Sequence, residues 1–157
     1  MTKHDVIRST ACHIRRVGEL ICDRATELMR RAVHHDASKW SAEEYPLFEK
    51  ATPKLAELVY GSEEYKENLD LIRPAIAHHQ ATNSHHPEYY PNGINGMDLM
   101  DLVEMLCDWK AAGERHVSGD IHRSIEYNVV RFGIEPQLAT VLRNSAERWF
   151  PPVETDG

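Results

Sequence analysis

Cysteine is scarce in this 157-residue chain, and it also lacks long apolar runs and any concentration of positive charge. The three cysteines, Cys12, Cys22 and Cys107, are odd in number, far apart and without a CxxC pair. That argues against a disulfide framework and a cysteine-based zinc site, and leaves reduced, mostly buried thiols as the expectation. No apolar run approaches the roughly 20 residues needed to cross a bilayer, and the opening MTKHDVIRST lacks the apolar centre of a signal peptide. A cytoplasmic protein without a membrane partner is expected. The 18 lysines and arginines are interspersed among 25 acidic residues, for a net charge of -7. A polymeric nucleic acid needs a basic stripe to neutralise its phosphates, so it is not an expected partner.

What the chain does have is helical periodicity. At this length folding hides roughly two thirds of the surface of the unfolded chain, so one domain over residues 1–150 with a short tail at 151–157 is expected. From Asp5 to about Arg31, Val6, Ile7, Ile14, Val17, Leu20, Ile21, Leu28 and Met29 form a helical stripe. SAEE at Ser41–Glu44 has the form of a capping box and predicts a short helix from Ala42 to about Lys50. Thr52–Pro53 reads as the N-cap and first residue of another, and Ser62 opens a longer helix to His79 that Pro74 must kink or break. QATNSHHPEYYPNGINGM is an aperiodic, exposed loop carrying His85 and His86. Leu99, Leu102, Val103, Leu106 and Trp109 mark one face of the next helix, followed by helices over about 120–132, stopped by Gly133, and 136–149, entered through Pro136. With no period-two strand, the expected fold is all-α, a compact bundle of about six helices.

Ten histidines stand in this helical chain, six of them in the doublets at 34–35, 78–79 and 85–86. No pair has the spacing of a zinc finger or of HExxH, so no short motif carries a site alone. Convergence is the alternative: helical bundles build metal sites from His and carboxylate side chains on facing helices. Imidazole with carboxylate suits Mn, Fe, Co, Ni or Zn better than Ca or Mg. Asp108 lies between Cys107 and Trp109 in an apolar stretch, where an unpaired carboxylate costs several kcal/mol, so it needs a cation, either a metal or a basic side chain. His13, on an amphipathic helix, is either a ligand or a boundary residue. The 78–79 doublet is open between ligand and structure, with His79 the preferred member. His34, His4, His116 and His122 read as bystanders or surface groups.

His13, HHDASKW at 34–40, HH at 78–79 and Asp108 in EMLCDW follow the order His, His-Asp, His, Asp. In this the chain resembles the HD-domain metal-dependent phosphohydrolase superfamily. HHDASKW, HHQATNSHHPE and EMLCDWKAA are similar to a small group of uncharacterised bacterial and phage proteins near that superfamily. The resemblance implies that His13, His35, Asp36 and Asp108 bind a divalent ion, that Asp36 bridges to a second one where present, and that Lys39 faces a substrate phosphate or the attacking water.

A divalent ion lowers the pKa of bound water from 15.7 to about 7, which makes metal-bound hydroxide the expected nucleophile on phosphorus. Lys39 offers a point charge to a phosphate oxygen, while Trp40 and Tyr89 are candidates for contact with the rest of the substrate. His86 and Glu88 are candidates for a partner to a ligand or a general acid for the leaving group. The expected metal set is His13, His35, Asp36, His79 and Asp108, holding one or two ions. A small phosphorylated molecule, foremost a nucleotide, is the expected substrate. Two other readings stay open: a di-iron oxygenase of the HD type, and a non-enzymatic helical protein docking a partner through EYYP at 88–91. A homodimer through the apolar faces of the C-terminal helices is also open.

Overall fold

The computed structural model describes residues 2–58, 63–115 and 119–151. Among these the chain is all-α, with seven α-helices, three short 3-10 turns and no strand. No helix among them is long and apolar enough to cross a membrane. The expected opening residue of the third helix, Ser62, the surface reading of His116 and most of the tail, 152–157, lie outside the described residues.

The chain divides into two compact units, residues 1–35 and 36–157. The first is essentially one helix, α1 (Lys3–His34). It starts two residues earlier than the apolar period indicates, because Thr2 and Asp5 form a capping box: the Thr2 hydroxyl accepts from the Asp5 amide at 3.3 Å, and the Asp5 carboxylate accepts from the Thr2 amide at 2.9 Å. Pairs such as Arg16–Glu19 and Arg24–Glu27 tie successive turns on its polar side.

The second unit begins with a 3-10 turn at Ala37–Trp40 and continues through α2 (Tyr45–Glu57), α3 (Glu63–Leu71), α4 (Arg73–Thr82), α5 (Leu99–Gly113), α6 (Ile121–Phe132) and α7 (Pro136–Trp149). Two sequence signals there act differently from expectation. Ser41 does accept from the Glu44 amide at 3.2 Å, but Glu44 does not return to Ser41; its carboxylate is wholly buried against histidines, and α2 starts only at Tyr45, with Pro46 in its first turn. Thr52–Pro53 opens no helix, and Pro53 lies inside α2. Pro74 behaves as its ring demands, ending the run at Leu71 and sitting in the first turn of α4.

The core is built by α5, α6 and α7 around Met105, Leu106, Ile121, Ile125, Ala139, Leu142 and Ala146, closed by Ile94 and Ile134. Gly133 terminates α6 in the left-handed conformation (φ 61°), where a side chain would be strained. Leu102 and Trp109 pack on this core, whereas Leu99 is exposed. All three cysteines are free and exposed, against the expectation of buried thiols; α1 has no buried residue and Cys107 is on the outer side of α5.

Candidate metal centre

The site starts at a strained residue. Asp36 has φ 56°, the one positive φ outside glycine among the described residues, which aspartate tolerates at a cost of about 1–2 kcal/mol. The kink leads directly into the 3-10 turn, and that turn folds Lys39 back so that its Nζ lies 2.5 Å from Asp36 Oδ2.

The other oxygen of Asp36 faces two imidazoles. His79, near the end of α4, places Nε2 3.1 Å from Asp36 Oδ1, and His85, three residues past the helix, places Nε2 3.4 Å from the same atom. Each ring is held from behind by a glutamate. Glu44 Oε2 is 3.0 Å from His79 Nδ1, and Glu104 Oε1, on α5, is 3.2 Å from His85 Nδ1. A carboxylate behind a ring fixes Nδ1 as the protonated nitrogen and turns the Nε2 lone pair outward, the arrangement by which proteins orient metal-ligating histidines.

That geometry needs positive charge. Two Nε2 lone pairs facing one carboxylate oxygen repel unless each ring carries an extra proton or a cation lies among them. Burial pushes the Asp36 carboxyl up, but its interactions with the His79 and His85 rings and with Lys39, whose charge adds to them, outweigh burial and hold Asp36 well below the ordinary carboxylate range. Glu44 is likewise held down: its burial is outweighed by hydrogen bonds from His78, whose Nδ1 is 2.8 Å away, and from Ser38, with His79 adding its charge.

His86 completes the cluster. Its ring centroid is 4.9 Å from that of His79 and 4.2 Å from that of His85, and its buried Nε2 has no hydrogen-bond partner. Burial and the neighbouring His85 and His79 push it down to about 4, against a smaller pull upward from Asp108 and Asp36, so at neutral pH it is uncharged, the form able to ligate a metal. One donor atom each from Asp36, His79, His85 and His86 all lie within 4.8 Å of one another. Donors about 2.1 Å from an ion are at most about 4.2 Å apart, so small ring rotations bring the set to bonding distance. Three imidazoles and a carboxylate fit a transition ion better than Ca or Mg.

A buried acid on α5 fixes the loop that presents His85 and His86. Asp101, wholly buried, accepts from the Ser84 hydroxyl at 2.7 Å, the Tyr90 hydroxyl at 2.6 Å and the Asp98 amide at 3.0 Å. Tyr90 is pushed up to about 12 by burial and by its bond to Asp101, so it stays a donor. Tyr90 can occupy this place because Gly96 has no Cβ; one added there would lie 2.7 Å from the Tyr90 Cβ. His85 is consequently 2% exposed, in contrast to the exposed loop residue expected.

Of the residues singled out in the sequence, the second unit brings Asp36, His79, His86, Lys39 and Asp108 into one neighbourhood. His35 is the last residue of the first unit, bonded through the chain to Asp36, and His13 lies in the middle of α1. His78 supports Glu44 rather than facing Asp36. Glu88 is engaged by Arg131 at 2.8 Å and Gln80 at 3.3 Å. Trp40 is 78% exposed and stacks on Tyr45, and Tyr89 packs edge-on against Tyr90. Sequence reasoning missed Glu44 as a histidine partner and left His85 open between a ligand and a solvated loop residue. The available signal for His85 was the third doublet itself, next to Pro87, which is buried.

Comparison with known families is decisive at one point: a model described as Family of unknown function (DUF5662) matches residues 2–148. The chain belongs to that family. The match spans every described helix up to Arg148, including all members of the histidine cluster. No curated protein matches the DUF5662 chain. No solved structure matches it either.

Proposed function

We propose that the DUF5662 chain is a metal-dependent hydrolase of a small phosphorylated molecule, with Asp36, His79, His85 and His86 as the ion's ligands. The observation that carries this reading is the pair of Glu-backed imidazoles, Glu44–His79 and Glu104–His85, aimed at one oxygen of Asp36. A divalent transition ion bound there supplies a Lewis acid and water acidified to near neutral pH. The chain's own groups do the rest. Lys39, 2.5 Å from Asp36, places a positive charge where a phosphoryl oxygen entering the site needs one. Glu44 and Glu104 keep the two rings in the tautomer that exposes Nε2. Of the HD-like order read in the sequence, this ligand set keeps Asp36 and His79, while His85 and His86 are donors beyond that pattern. Release of phosphate or pyrophosphate from a nucleotide panel with Mn, Co, Ni or Mg, abolished in Asp36→Ala, is the expected result. Metal-loaded protein that releases neither from any member overturns the reading.

One feature favours a second reading. Two histidines and one carboxylate on one face, as in His79, His85 and Asp36, are also the donor set of non-haem iron oxygenases. Iron retained through purification and oxygen consumption on an organic substrate, without hydrolysis, would select that chemistry.

A further inference from the structure

A cleft of about 620 Å³ is bounded by α5 and α6, and its wall includes His86 and Asp108 beside the histidine cluster and Trp109, Arg123, Asn128 and Arg131 further along. That volume suits a small organic ligand. The α6 sequence IHRSIEYNVVRF explains the wall. Ile121, Ile125 and Phe132 recur on the core side, while Arg123, Tyr127 and Arg131 recur four residues apart on the cleft side.

Asn128 breaks this division. It follows Ile121 and Ile125 at the spacing of a core position and is 7% exposed, where an aliphatic residue would pack. Its Nδ2 donates to the Ser124 carbonyl at 3.0 Å, but its Oδ1 is buried without any hydrogen-bond partner. An orphaned buried acceptor is costly enough that native folds rarely keep one without a use. The two arginines also differ. Arg131 is bound to Glu88 at 2.8 Å and lies over the Phe132 ring, whereas Arg123 makes no ion pair or hydrogen bond with the described residues.

We infer that this cleft is a substrate subsite in which Arg123 binds a phosphate other than the phosphoryl group taken by the ion and Lys39, and Asn128 Oδ1 accepts a hydrogen bond from an N–H carried by the ring of the same molecule. This rests on the proposed hydrolase reading for its connection to the histidine cluster, but its binding chemistry stands on the cleft. Trp109 and Tyr127 give the ring aromatic neighbours. Asn128 is the specificity-determining residue, because an N–H on the ligand would give its unpartnered oxygen a donor.

The test is calorimetric titration of wild type, Arg123→Gln and Asn128→Leu with inorganic phosphate and with adenosine, cytidine and guanosine diphosphates, beside a hydrolysis assay on the same proteins. Arg123→Gln should weaken the nucleotides about tenfold or more. Asn128→Leu should fold and unfold at a higher temperature, since it removes the orphan, yet bind the amino-bearing nucleotides about tenfold more weakly and phosphate as wild type does. A merely structural asparagine would raise stability and leave binding unchanged, which overturns the inference. So does the absence of saturable binding of every nucleotide by wild type, or hydrolysis whose KM neither substitution moves. Binding that depends on both residues without any hydrolysis keeps the subsite and overturns the hydrolase reading instead.

Discussion

Glu44 Oε2 stands 3.0 Å from His79 Nδ1, from a carboxylate that no solvent reaches. The residue that looks like half of a helix cap supports the proposed ligand His79. Glu44→Gln keeps shape and neutralises the charge behind the ring. Metal affinity is expected to fall about 10–100-fold with the fold retained. A metal titration followed by calorimetry, with circular dichroism as the fold control, checks this; an unchanged affinity contradicts the role given to Glu44.

Chelation should lower stability. An ion bound only to the native state stabilises it by about 2.7 kcal/mol at a hundred times Kd, or roughly 5–10 °C in Tm at this chain length. Thermal unfolding with and without chelator, in wild type and in Asp36→Ala, measures the difference. The shift is expected in wild type and absent in the variant.

Proton uptake by His86 sets a pH dependence in the metal-free protein. Its native value is lowered from an ordinary 6.5 to about 4. Between those values the unfolded chain binds the proton and the native chain does not, so this group makes stability fall as pH drops from 6.5 towards 4. His86→Gln should flatten that slope. Urea midpoints at several pH values in that window, with chelator present, read the change, and parallel curves for the two proteins would contradict it.

Asp101 should be a structural keystone. Asp101→Ala leaves the Ser84 and Tyr90 hydroxyls and the Asp98 amide without their acceptor, which should cost about 2–4 kcal/mol. Asp101→Asn keeps an acceptor and should cost less. Denaturant unfolding of both variants gives the comparison, and equal stability of Asp101→Ala and wild type would remove Asp101 from this account.

Much of the fold was legible because it is written in local codes. The stripe of α1, the break at Pro74, the stop at Gly133 and the entry at Pro136 each depend on neighbours within a turn or two. Ser41–Glu44 was misread because the same glutamate has a better use 34 and 35 residues away, on His78 and His79, and no local pattern reports such a pairing. His85 was hidden for the same reason. Its loop composition signals exposure, while its burial depends on Ser84 and Tyr90 closing on Asp101 from a later helix. Asp108 could be named from the sequence as a carboxylate in need of a cation, and Asp36, Lys39 and His79 from their places in the HD-like pattern; the partners around Asp36 and His79 required the fold.

The most direct measurement is the metal content per chain, by plasma mass spectrometry after refilling with Mn, Fe, Co, Ni or Zn and removing free ion, for wild type beside Asp36→Ala and His85→Gln. The account predicts at least one equivalent of a transition metal in wild type and a clear loss in both variants. The same substoichiometric content in all three proteins would contradict it.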